Sequence, residues 1–122
     1  NINIKKIGET YCVYTKETGI LDIDPVELAK EYEAQGAGEI LLTSVDRDGT
    51  ALGYDSEMLQ LFRNQIKIPI IINGGMGTPE HGIEALSLGA DALAAAYIFH
   101  FSKYTPQMIK ESLHLHGIPV RL

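Results

Sequence analysis

Two short stretches carry the groups that chemistry on an anion needs. One is Ser44-Val45-Asp46-Arg47-Asp48-Gly49-Thr50, which brings two carboxylates, a guanidinium and a glycine into one loop. The other is Gly74-Gly75-Met76-Gly77, followed by Thr78 and Pro79. Glycine lets the backbone approach an anion closely, and a helix start presents unpaired N–H groups with a favourable dipole. Each stretch also has a plainer account, because Asp and Gly are ordinary turn residues. With a third turn at Ala96-Tyr97 they make a three-loop anion cradle. No Ser/His/Asp or Cys/His grouping points to nucleophilic catalysis. His114 and His116 stand two apart on a helix and point different ways. His81 and His100 are isolated, so surface or capping roles are expected, with no metal site and no cofactor. Cys12, between Tyr11 and Val13, reads as a packing residue. As the single cysteine it forms no internal disulfide, which suits a reducing cytoplasm.

Composition narrows what these loops serve. At 122 residues the chain is one domain's worth, with 45% hydrophobic and 21% charged residues, as in ordinary globular proteins. A formal charge of −6 and no Lys/Arg cluster argue against nucleic acid as a partner. No apolar run approaches the roughly 20 residues of a membrane-spanning helix. The first residue is Asn1 rather than Met, as in a processed or excerpted piece.

The elements that position the loops follow from apolar runs and caps. Strands are expected at residues 1–4, 38–43, 69–73 and 92–96, with a short ribbon at 11–15 closed by 16–19. Asp24 caps a helix with Pro25 at its first position and Glu27 completing a capping box, and Gly36 ends it. A second helix begins near Asp55. A third runs from Thr78 and Pro79 to Leu88, and a fourth from Thr105 and Pro106 to Gly117. Residues 97–101 are expected as a turn. Strand and helix thus alternate four times, with connections that read as too short for antiparallel hairpins, so a parallel sheet is expected. Gly36-Ala37-Gly38 and Gly89-Ala90-Asp91 each close a helix and open a strand. Four such units make a small open sheet or half of an eight-stranded barrel. Size favours the half, since a complete barrel has about 250 residues.

The linked motifs resemble the cyclase subunit of imidazole glycerol phosphate synthase. Those motifs are 36–44 followed by Asp46-Arg47-Asp48-Gly49-Thr50 and Gly53-Tyr54-Asp55, then Gly74-Gly75-x-Gly77 with Glu80-His81, Gly89-Ala90-Asp91-Ala92, and Phe99-His100-Phe101. The related isomerase of the same pathway shares the Arg-Asp-Gly element but not Gly-Tyr-Asp. The resemblance implies an α/β fold, the (βα)4 half of a TIM (βα)8 barrel, strands five to eight, as one unit over residues 1–122. It places Asp48, Gly49, Gly74, Gly75, Ala96 and Tyr97 at phosphate-binding positions, with Tyr97 standing where the family usually has serine. Asn73 replaces a small residue. Asn3 takes the position of the family's catalytic aspartate, where an amide holds a hydroxyl or water but exchanges no proton. Loss of one general acid/base costs about 10²–10⁴ in rate.

The implied activity joins ammonia from a glutaminase subunit to a phosphorylated ribulosyl aminoimidazole, then cyclises and cleaves it in histidine biosynthesis. With Asn3 and without the first four strands, this chain alone is expected to be inactive or very weak. Two alternatives remain open: a non-catalytic phosphate-binding module, and a paralogue in surface-polysaccharide biosynthesis. Edges at the first and fourth strands and an uncovered apolar face predict self-association into a closed barrel.

Overall fold

The computed structural model describes residues 1–120, without the side chains of residues 100 and 101. Six strands form one sheet: β1 (Ile2–Ile7), β2 (Thr10–Thr15), β3 (Gly19–Leu21), β4 (Ile40–Ser44), β5 (Ile70–Asn73) and β6 (Ala92–Leu93). Their order is β3-β2-β1-β4-β5-β6. Strands β1, β4, β5 and β6 are parallel neighbours in chain order. A doubly wound sheet reverses its strand order at a switch point, whereas a barrel adds each strand on the same side. The observed order is the barrel's, and it bears out the α/β (βα)4 expectation.

Helices α1 (Pro25–Ala34), α2 (Ser56–Arg63), α3 (Pro79–Ser87), α4 (Tyr97–Phe101) and α5 (Pro106–Leu115) complete the fold. Side chains alternate across a strand. One set, Ile2, Ile4, Ile40, Leu42, Ile70 and Ile72, is at most 3% exposed. It packs in one core with Ala29, Met58, Leu59, Phe62, Ala85, Ile109 and Leu113 from the helices. Burying a side chain of this size contributes about 1.5–3 kcal/mol. Among the described residues no helix is long and apolar enough to cross a membrane.

Five local expectations are corrected. The first connection does contain antiparallel hairpins: β1 runs on to Ile7 and pairs with β2, which pairs with β3. Gly8, at φ +60°, supplies the first central residue of a two-residue turn. The first parallel strand is therefore not a sheet edge, and the edges are β3 and β6. The last strand stops at Leu93. Ala94 still donates to the Ile72 carbonyl at 2.8 Å, but with one neighbour only, the alanine run has no side chains to hold a longer ladder. Residues 97–101 form α4 instead of a turn. Finally, Asp24 caps α1 by accepting from the Val26 N–H, while Glu27 pairs with Lys30 at 3.4 Å rather than closing a capping box.

Candidate functional site

The face of the parallel strands turned away from the helix-packed core carries two layers. Register places Asn3 beside Thr43 and Thr43 beside Asn73 at the carboxyl ends. One step down, Leu41, Ile71 and Ala92 share a row and are only half-buried. With neighbouring strands about 4.8 Å apart, the upper row spans roughly 10 Å. Its members are linked by hydrogen bonds. The Asn73 amide donates to Thr43 Oγ1 at 3.3 Å, and Thr43 donates to Asn1 Oδ1 at 3.1 Å. Asn1 in turn donates to Asn3 Oδ1 at 3.1 Å. The row Asn3–Thr43–Asn73 holds no group that titrates near neutral pH, so it can hold a hydroxyl or a water but cannot shuttle a proton.

Above this row the loop after β4 meets the loop after β5, backbone against backbone. The Gly53 N–H donates to the Gly75 carbonyl at 2.7 Å. A Cβ on Gly75 would stand 2.0 Å from the Gly53 carbonyl oxygen, and one on Gly74 would stand 2.6 Å from that of Ser44 and 3.4 Å from the Asp48 nitrogen. Only glycine fits this contact. Asp48 is thereby brought against Gly74, and Gly49 is the next residue along the same loop. The Asp48 N–H is already used, donating to the Ser44 carbonyl at 3.0 Å. The N–H groups of Gly49, Gly74, Gly75 and Ala96 donate to no acceptor among the described residues. Ala96 and Tyr97 follow β6, the next strand along, and Tyr97 opens α4 with 36% of its surface exposed.

The charged residues of the first loop serve a different end. Asp46 accepts from the Lys6 N–H at 2.8 Å and from Lys5 Nζ at 3.4 Å, which ties the loop to β1. Arg47 donates to the Gly53 carbonyl at 3.3 Å. Lys6 reaches Glu57 at 3.2 Å, an exposed pair of the kind that contributes little. His81 is a cap: its Nδ1 accepts from the Gly77 and Thr78 N–H groups at 2.9 and 3.3 Å. Its ring lies against Gly53.

Tyr54, quoted above only as part of a motif, and Asp55, named above as the start of the second helix, prove structurally central. The Tyr54 hydroxyl donates to the Ala94 carbonyl at 2.8 Å and lies 3.3 Å from Met76 Sδ. Burial pushes its phenol well above the ordinary tyrosine range, so it stays protonated and a donor. Asp55 caps α2 by accepting from the Met58 N–H at 3.0 Å. Both its carboxylate oxygens lie 3.1 Å from the Tyr11 hydroxyl. Burial first, and then that carboxylate, raise the Tyr11 phenol as well.

Comparison with known proteins then adds a family. A model described as "Histidine biosynthesis protein" matches residues 2–105. The putative imidazole glycerol phosphate synthase subunit hisF2 of Campylobacter jejuni subsp. jejuni serotype O:2 is 58% identical over 122 residues, 100% of this chain and 49% of that protein. The imidazole glycerol phosphate synthase subunit HisF of Thermococcus onnurineus is 50% identical over 99% of this chain and 48% of that protein. Its counterpart in Pyrobaculum aerophilum is 47% identical over the same shares. The chain spans about half the length of the curated relatives it matches.

Proposed function

This chain belongs to the histidine biosynthesis protein family, and from that premise we propose that it is the phosphate-holding, C-terminal half of an imidazole glycerol phosphate synthase cyclase-like barrel. The observation that carries the reading is the set of unpaired N–H groups at Gly49, Gly75 and Ala96, held at the carboxyl ends of three successive parallel strands. In this reading they donate to the phosphate oxygens of a phosphorylated ribulosyl aminoimidazole. Asn3 holds a substrate hydroxyl or a water at the next strand end. In the complete barrel, ammonia from a glutaminase subunit enters the reaction, and acid/base steps fall to groups that this half does not supply. Alone, the chain binds phosphate and turns over very slowly or not at all.

A second reading, a non-catalytic phosphate-binding module, is favoured by the Asn3–Thr43–Asn73 row, which offers no proton-transfer group. A paralogue acting in surface-polysaccharide biosynthesis has the same requirements at this site. Completion of the barrel by a second copy is supported by the half-buried Leu41, Ile71 and Ala92 and by a groove of about 820 Å3 beside the β6 edge.

Calorimetric titration with inorganic phosphate tests the cradle, and absence of binding defeats both readings. Ammonia-dependent turnover of the histidine precursor, with the N-terminal half of a relative supplied, separates them. Turnover raised by Asn3→Asp supports the cyclase, and none with either residue supports the module. Light scattering after size exclusion tests assembly, which a monodisperse species of 13.4 kDa excludes.

A further inference from the structure

We propose that Tyr54 is a positioning residue that sets the Ala96 N–H against the glycine loop, so that three separate loops act as one anion site. The inference rests on the phosphate reading above. Its ground is the way Gly53, Tyr54 and Asp55 each leave the β4–α2 loop toward a different element. Gly53 bonds the Gly75 carbonyl, Tyr54 bonds the Ala94 carbonyl, and Asp55 accepts from Tyr11 on β2. The first and second of these contacts bracket the cradle.

Beyond the β6–α4 turn, α4 is anchored by the fully buried Ile98, while the turn itself is made of small residues. The strand has only two residues and one neighbour, and three alanines follow it with no side chain beyond Cβ. Ala94 is tied by its N–H to Ile72 and by its carbonyl to Tyr54, and the next two residues carry the chain to the start of α4. The Tyr54 ring is 5% exposed and passes Met76 on the way, so its hydroxyl has one well-defined place to stand. Without that hydroxyl the Ala94 carbonyl loses its cross-loop donor, and the Ala96 N–H is no longer held in register with those of Gly49 and Gly75.

The test is Tyr54→Phe, with Tyr11→Phe as the matched control that removes a hydroxyl from the far side of the same loop. Amide NMR spectra are recorded during titration with inorganic phosphate. The wild type is expected to shift the Gly49, Gly75 and Ala96 amides together. Y54F is expected to bind phosphate about 5–10-fold more weakly, the effect of one net hydrogen bond. Its Ala96 shift should vanish while those of Gly49 and Gly75 persist. Y11F should lose stability but keep the affinity and the Ala96 shift. Equal losses in Y54F and Y11F, or an unchanged Ala96 shift in Y54F, overturn the proposal.

Should the wild type bind no phosphate, the site reading itself has failed. Hydrogen exchange at residues 95–97 then decides the positioning claim, since faster exchange in Y54F than in Y11F upholds it and equal rates overturn it. If Y54F does not fold, Ala95→Gly slackens the same turn without touching the ring. It is expected to give the same selective loss at Ala96, and wild-type binding in A95G overturns the claim.

Discussion

The two ends of the parallel sheet are built from opposite materials. At the amino ends of the strands, charged side chains occupy the backbone groups of the loops. Arg63 donates to the carbonyls of Gly89, Ile66 and Ile68 and to Asp91, at 2.8–3.3 Å. Asp91 also accepts from the Ile70 N–H at 2.8 Å, and Glu33 accepts from Lys67 and Ile68 at 2.6 and 3.0 Å. At the carboxyl ends, glycines bring backbone against backbone and N–H groups are left over. One end satisfies its loops and contributes stability, while at the other, among the described residues, donors are left without an acceptor, which the proposed phosphate reading assigns to a ligand. That division is the one expected of a barrel, whose chemistry gathers at the carboxyl face.

Four substitutions probe this contrast. The largest effect is expected from Gly75→Ala, whose new Cβ meets the Gly53 carbonyl at 2.0 Å on a backbone with φ +114°. Overpacking and left-handed strain together cost roughly 3 kcal/mol or more. Urea unfolding should show that loss and calorimetry should show phosphate binding abolished; a wild-type midpoint would mean that these backbones do not touch.

Next comes Arg63→Ala at the other end. It leaves three carbonyls without this donor and Asp91 with the Ile70 N–H alone, for about 2–4 kcal/mol. Phosphate affinity should not change, and a folded R63A protein that has lost binding breaks the division between the ends.

Gly49→Ala is milder. No atom lies within 4 Å of its added Cβ, so only the φ of +80° is penalised, by about 1–2 kcal/mol. The N–H survives, and phosphate affinity should survive with it.

The smallest effect is a pH dependence. The Lys67 and Ile68 N–H groups hold the Glu33 carboxyl below the ordinary glutamate range. Between the ordinary glutamate range and that lower folded value the unfolded state binds more protons than the folded one, so the contribution is full above the ordinary range and is lost as pH falls through the folded value. Glu33→Gln should flatten that part of the curve of urea midpoint against pH, and an unchanged slope would remove Glu33 from the clamp.

What was legible in the sequence was local. Asp24 and Thr105 cap their helices through bonds two and three residues on, and the helix expected near Asp55 begins at Ser56. The apolar runs of β4 and β5 are strands buried on the helix side, as their composition requires. Non-local pairings were less visible. Lys5 and Lys6 are poor strand formers, yet they pair with Cys12 and Tyr11 because β2 turns back beside them. Tyr54 finds a backbone carbonyl 40 residues away, for which no side-chain pattern exists. In the sequence the glycines of 74–77 offer close approach to an anion, and their closure onto Gly53 adds a second demand that composition alone does not separate.

The antiparallel ribbon also bears on how the chain assembles in time. Strands β1, β2 and β3 are joined by residues 8–9 and 16–18, whereas β1 reaches β4 only across residues 8–39. Short loops close fast, and hairpins form in about 1–10 μs. The ribbon therefore has time to form before β4 leaves a ribosome that adds about 5–20 residues per second. Once it has formed, β2 occupies one side of β1 from Ile4 onward. An emerging β4 pairs with Ile2, Asn3 and Ile4, so it meets the finished ribbon at Ile4, the β1 residue paired on both sides, and extends the sheet from there.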